Sequence, residues 1–134
     1  MIAENHRLAR AYIDAVITGD LPDALLTDDM TGWITTSGTM PKAAYQGAIR
    51  MLRAMLKEPL AFTIDSITAE DDRAVIEARS QGVLINGEPY ANTYIFVLRI
   101  HDGRIAAIAE HYNALVVQEK LLPLMAQLTK ANSK

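Results

Sequence analysis

Three charged side chains in this sequence are spaced so that they could act together on a small molecule. Glu77 and Arg79 stand two residues apart in VIEARSQGVL, a run with the alternation of a β-strand, so both fall on one face of it. Glu110 lies in a second such run, RIAAIAEHYN, which strand pairing could bring alongside. An acid beside a guanidinium ionises more readily, and one in apolar surroundings less readily. Two acids separated in this way supply a base and an acid at the same pH. The same three groups would equally serve as a buried ion-pair network that fixes a sheet. Tyr12 offers a hydroxyl to a ligand oxygen or to a nearby acid. Asn92 and Tyr94 are polar groups inside a third strand-like run, EPYANTYIFVLRI. Asn is uncommon in strands, so Asn92 needs a partner: a ligand, or one of the two glutamates.

The composition excludes several classes. The chain has 134 residues, half of them apolar and 22% charged, with 13 basic and 16 acidic groups for a net charge of −3. That suits one globular domain over residues 1–134, with a real core. No basic cluster is present to neutralise phosphates, so no nucleic-acid partner is expected. Apolar stretches fall far short of the ~20 residues that span a bilayer, so no membrane partner is expected either. Cysteine is absent, which removes disulfides, thiolate nucleophiles and cysteine–zinc sites. His6, His101 and His111 sit on separate elements with no shared face, so no metal is expected. Nothing resembles a phosphate-cradling glycine loop or a Ser-His-Asp set, and no cofactor is expected. The polar start, MIAENHRLAR, lacks the apolar run of a signal peptide, and the expected location is the cytoplasm.

The elements that must position these groups follow from periodicity. Residues 2–18 carry a helical apolar stripe ended by Gly19, and Asp20 could cap a short second helix, LPDALL. MTGWITT (30–36) is a strand, Ser37-Gly38-Thr39 a turn, and Pro41 opens a third helix through Lys57, striped by Tyr45, Ala48, Ile49, Leu52, Met55 and Leu56. Beyond Pro59 the period becomes two. Strands are expected at 60–70, 73–84, 88–100 and 104–114, separated by Asp71-Asp72, Asn86-Gly87 and Asp102-Gly103. Asn-Gly and Asp-Gly favour two-residue type I′ hairpins, so the last three strands form an antiparallel meander. The tail, LVVQEKLLPLMAQL, is helical, with Asn113 as a cap and Pro123 as a kink or break.

In this order of elements the chain resembles the nuclear transport factor 2-like fold and, within it, the SnoaL-like and ketosteroid isomerase-related group. The resemblance is carried by AYIDAVITGDLPDALLTDDMTGW and VIEARSQGVLINGEPYANTYIFVLRIHDGRIAAIAEHYN, and it covers nearly the whole chain. It implies an α+β, cystatin-like cone. N-terminal helices pack in the concave face of a curved, mainly antiparallel sheet and enclose a pocket. The superfamily holds isomerases, cyclases, epoxide hydrolases, dehydratases and proteins with no reaction, so the fold leaves function open. The resemblance implies a small cyclic, terpenoid or polyketide-like ligand and, for an enzyme, cofactor-free acid–base chemistry of the isomerase, cyclase or hydratase kind. The alternative is a non-catalytic ligand-binding or dimeric scaffold. Steroid isomerases of the group use a helix-one Tyr and two Asp. Tyr12 stands where the Tyr would be, but the Asp positions fall on Ile34 (or Trp33, with a bulge) and Phe96, which handle no proton. That mechanism is therefore not expected.

The resemblance also sets the faces. It puts Tyr90, Asn92, Tyr94, Phe96, Leu98 and Ile100 inside the cone, with Ile108, Glu110 and Tyr112 beside them. With two-residue turns, Val75, Glu77, Arg79, Gln81 and Val83 join them, leaving Ala74, Ile76, Ala78 and Ser80 outside. The cavity would then hold Glu110 as acid/base, Arg79 as its orienter, Glu77 as the second carboxylate and Tyr12 or Tyr94 as polariser. Trp33, Asn92, Tyr94, Met55, Ile108 and Tyr112 would contact the ligand. Limonene epoxide hydrolases of the superfamily use a similar carboxylate–Arg–carboxylate set. Here the order along the strand is reversed and both acids are Glu. Outside, Ala78, Ser80, Thr93, Ile95, Val97, Ala107 and Ala109 would form a weakly polar convex face suited to a homodimer.

Overall fold

Helix α1 (Ile2–Thr18) forms because Ala9, Tyr12, Ile13, Ala15 and Val16 recur on one face, and these residues are buried. It stops at Gly19, whose φ of 82° turns the chain so that the following Asp20 N–H reaches back to the Ala15 carbonyl at 3.1 Å. The computed structural model of the chain describes residues 2–132. A single turn of 3₁₀ helix, Asp23–Leu25, stands where a short α-helix was expected. Strand β1 (Leu26–Ile34) begins earlier than its apolar run, and Gly38–Pro41, expected as turn and helix start, is a second strand, β2, paired antiparallel to it. Helix α2 (Lys42–Ala54) follows, then β3 (Ala61–Ala69), β4 (Arg73–Val83), β5 (Pro89–His101) and β6 (Arg104–Tyr112). The six strands form one sheet in the order β2-β1-β6-β5-β4-β3, antiparallel except where β1 meets β6. The helices cover one face of this curved sheet. The architecture is the expected α+β cone.

The two turns of the meander differ, and the longer one decides which side chains of β4 face inward, whereas β6 is set by a bulge at Ala106. At Asp102-Gly103 both residues have positive φ, 50° and 76°, and His101 pairs with Arg104. This is the two-residue type I′ turn that Asp-Gly favours. At the other turn only Gly87 has positive φ, 88°, and Leu84 N–H reaches the Glu88 carbonyl at 2.9 Å. Ile85, Asn86 and Gly87 thus form a three-residue loop, in which the Asn86 side chain accepts from Glu88 N–H at 3.0 Å. The extra residue sets Ser80, not Gln81, opposite Asn92. A one-residue change of register turns every side chain of a strand over. Ala74, Ile76, Ala78 and Ser80 are consequently buried, while Glu77, Arg79 and Gln81 are exposed on the convex face.

The buried residues fall into two clusters. The larger lies between α1, the start of α2 and the sheet, with Tyr12, Phe96, Leu98 and Ile105 at its centre. The smaller joins the end of α2 (Met55), the β4–β5 loop (Leu84), Tyr90 and the C-terminal helix (Val117, Leu121, Leu124). That helix runs as Ala114–Val116, a π-helical turn Val117–Leu121, and Leu122–Asn132. Asn113 caps it, accepting from Leu115 N–H at 3.1 Å, as its position suggested. Pro123 breaks nothing. The chain stays helical through it, and the wider turn just before accommodates the missing donor. No helix among the described residues is long and apolar enough to cross a membrane.

Candidate functional site

Between the two clusters a cleft of about 140 Å³ opens on the concave side. Its walls come from α2, the end of β1, β5, β6 and the C-terminal helix, and they are mainly aliphatic. One carboxyl, that of Glu110 on β6, enters it, and no lysine, arginine or histidine lines it. Four tyrosines, Tyr45, Tyr90, Tyr94 and Tyr112, bring hydroxyls to the walls.

Glu110 is held from one side. Tyr45 on α2 donates to its Oε1 at 2.8 Å, and the Tyr45 hydroxyl lies 2.5 Å from that of Tyr12 on α1. Both phenol rings are fully buried, and Tyr12 also meets Phe96 edge-on at 5.3 Å between ring centres. The Tyr45 ring reaches this place because Gly32 of β1 has no side chain: a Cβ there would lie 2.3 Å from the ring. No cation among the described residues pairs with Glu110. Burial of the carboxyl raises its pKa from 4.5 to about 7, and the Tyr45 hydrogen bond, which favours the ionised form, restrains the rise. Burial, with the Glu110 charge adding to it, pushes both Tyr12 and Tyr45 well above the ordinary phenol range. These phenols stay protonated and act as donors.

Residues 9–108 match the SnoaL-like domain family, a span that takes in the latter part of α1, the cleft wall of α2 and most of the sheet. The chain belongs to that family. Solved structures share its fold. A nuclear transport factor 2-like protein from Anabaena variabilis has a TM-score of 0.72 at 18% identity, over 82% of this chain and 90% of that one. An LEH-like epoxide hydrolase from M. tuberculosis has a TM-score of 0.71 at 18% identity, over 96% and 98% of the two chains. A candidate SnoaL-like polyketide cyclase from Jannaschia sp. CCS1 has a TM-score of 0.73 at 14% identity, over 87% and 90%. No curated protein sequence matches the chain.

In this SnoaL-like cleft the expected Glu77–Arg79–Glu110 set does not exist. Glu77 accepts from Ser66 Oγ at 2.6 Å and Arg79 contacts Asp65 at 3.3 Å, both on the convex face, across the sheet from Glu110. The three-residue loop is the cause. Trp33 is also turned outward, because Met30, Gly32 and Ile34 hold the inner phase of β1. It packs on His111 at 4.7 Å between ring centres. Ile108 faces inward but is sealed in the larger cluster, not exposed to the cleft. Asn92 is buried and bonds to neither glutamate. Its Oδ1 accepts from Asn113 N–H at 3.0 Å and its Nδ2 donates to the Asn113 carbonyl at 3.4 Å, which fastens the start of the C-terminal helix.

Four expected residues do line the cleft. Met55, Tyr94 and Tyr112 stand beside Glu110, with Tyr94 bonded to Ser80 at 2.7 Å and Tyr112 to Thr36 at 2.6 Å. Tyr12 stops short of the cleft and reaches Glu110 only through Tyr45. Tyr45 is the residue that the sequence reading missed, since it counted only as part of an apolar stripe. Two signals pointed to it. A buried Tyr hydroxyl needs a partner, and Gly32 in a strand interior marks a close approach.

Proposed function

We propose that the chain binds a small, uncharged organic molecule bearing a carbonyl group in the Glu110 cleft and moves a proton on it without a cofactor, as an isomerase or cyclase does. The observation that carries the reading is a lone carboxyl, poised near pH 7, in an apolar cleft that holds no cation. An anionic ligand would meet Glu110 with nothing to offset the repulsion. In the ionised form Glu110 takes a proton from the carbon beside the carbonyl, and the C–H electron pair becomes an enolate. The protonated acid then returns the proton to that carbon or to a conjugated one. Tyr112 and Thr36 share one hydrogen bond between two hydroxyls, which leaves one hydroxyl proton for the ligand oxygen. A single acid handles a single proton, so water addition to an epoxide, which engages two carboxylates and an Arg, is not favoured here.

Exchange of ketone protons in deuterated water, followed by NMR over a panel of small cyclic ketones and enones, tests this directly. The wild-type chain should speed exchange for some of them, and Glu110→Gln should abolish it while remaining folded. Ligand binding that is indifferent to Glu110→Gln, with no exchange by either protein, would instead leave a binding protein. The second reading has one observation in its favour: the Tyr94, Tyr90 and Asn92 polar groups are all engaged with each other, Ser80 or Asn113. The homodimer remains part of the proposal. Ile95, 45% exposed, with Thr93, Val97, Ala107 and Ala109 forms its centre, now joined by Glu77 and Arg79 in place of Ala78 and Ser80. Sedimentation should show a dimer, and Ile95→Lys a monomer.

A further inference from the structure

We infer that Tyr45, backed by Tyr12, is a positioning residue that fixes Oε1 of Glu110 as a permanent acceptor and leaves Oε2 as the one atom where the carboxyl gains and loses its proton. The inference rests on the proposed acid–base role for its use, though the proton count behind it does not.

A phenol has one proton to give. Tyr45 gives its proton to Glu110 Oε1, so in the short contact with Tyr12 it must accept, and Tyr12 must donate. The chain of bonds therefore has one direction, from Tyr12 to Tyr45 to Glu110. Oε1 accepts whether the acid is ionised or neutral, so the proton of the neutral acid sits on Oε2. No buried side-chain polar atom among the described residues lacks a partner, and Oε2 has no protein partner, so this oxygen opens on the cleft. Glu110 can thus change its charge at Oε2 without any protein hydrogen bond being broken or turned. The groups facing it are Tyr12 from α1, Tyr45 from α2, Tyr90 and Tyr94 from β5 and Tyr112 from β6. The C-terminal helix and the end of β1 add only apolar and hydroxyl groups, so no nearby cation competes for the role.

The test is the titration of Glu110 by carbon-detected NMR of protein labelled at the Glu carboxyl carbon, with no substrate present. Wild-type Glu110 should titrate near pH 7. Tyr45→Phe removes the bond that favours the charged form and should move the midpoint up by about one unit or more. Tyr12→Phe only weakens Tyr45 as a donor and should move it the same way by less. If Tyr45→Phe fails to fold because it strands the Tyr12 hydroxyl, the double variant removes both hydroxyls and should show the full upward shift. A midpoint unmoved or lowered in a folded Tyr45→Phe or double variant overturns the inference. Should the midpoints move as expected while no ketone exchanges, the proposed function falls and the inference stands. Should exchange proceed while the midpoint ignores Tyr45, the reverse holds.

Discussion

Glu77 and Glu110 are both glutamates in the interior of long strands, and they live in opposite surroundings. Glu77, on the convex face, is exposed and accepts from Ser66, with Arg79 and Asp65 nearby on the same solvent side. Glu110, on the concave face, has no cation, one phenol donor and an apolar wall. The same side chain is a solvated surface group in one place and an acid poised near neutrality in the other. Nothing in either residue's immediate neighbours decides which. Register does: one extra residue at Ile85-Asn86-Gly87 turns β4 over, while after the two-residue Asp102-Gly103 turn a β-bulge at Ala106 shifts β6 by one and sets Glu110 opposite Phe96 on the inner face.

The sharpest way to break this contrast is chemical. Glu110→Gln should lower proton exchange by roughly 10²–10⁴-fold, the usual contribution of a positioned acid or base. Glu77→Gln should leave it unchanged in the same NMR assay. A second way is to move the charge across the sheet by one position. Ala78 is 4% exposed, and Ala78→Glu would bury a carboxyl with no partner, costing about 3 kcal/mol or more in chemical denaturation. Glu77→Ala beside it should change stability by less than about 0.5 kcal/mol.

The third comparison is with pH. Because the folded state holds Glu110 at about 7 against 4.5, it retains a proton that the unfolded chain releases. Stability should therefore fall as pH rises from about 4.5 to 7 and level off above, by about 3 kcal/mol in all from this group. Denaturation midpoints across that range should show the fall, and Glu110→Gln should remove it. Gly32→Ala comes next. Its methyl would displace the Tyr45 ring, costing about 1–3 kcal/mol in thermal or chemical unfolding and loosening the Tyr45–Glu110 bond. Arg79→Ala should be milder than Gly32→Ala, within about 1 kcal/mol, since Arg79 and Asp65 are an exposed pair.

These contrasts also mark how far the sequence could be read. The strands of the meander and the helical tail with its Asn113 cap follow from period two, glycine turns and capping chemistry. The inward phase of β5 and β6 comes from the family resemblance and, in β6, depends on the bulge at Ala106. The phase of β4 does not, because Asn-Gly serves two-residue and three-residue loops alike and the choice depends on what the rest of β4 buries. Ala74, Ile76 and Ala78 were the available clue, being small and apolar for a solvent face. Glu110 was legible as the acid because the resemblance put it on the inner face, where the bulged strand holds it. Its true partner was not, since Tyr45 is brought to it by α2 crossing the hole at Gly32, a contact between elements that no local pattern records.

The C-terminal helix gives the last consequence. It brings no polar group to the cleft, yet its Val117, Leu121 and Met125 form one of the walls. Its start is tied to β5 by the clasp of Asn92 on Asn113 and by the packing of Val117 with Tyr90. Swinging it away would let water into the cleft and draw the Glu110 pKa back toward its ordinary value. The strength of this acid thus depends in part on aliphatic residues at the far end of the chain, which close one wall of the cleft.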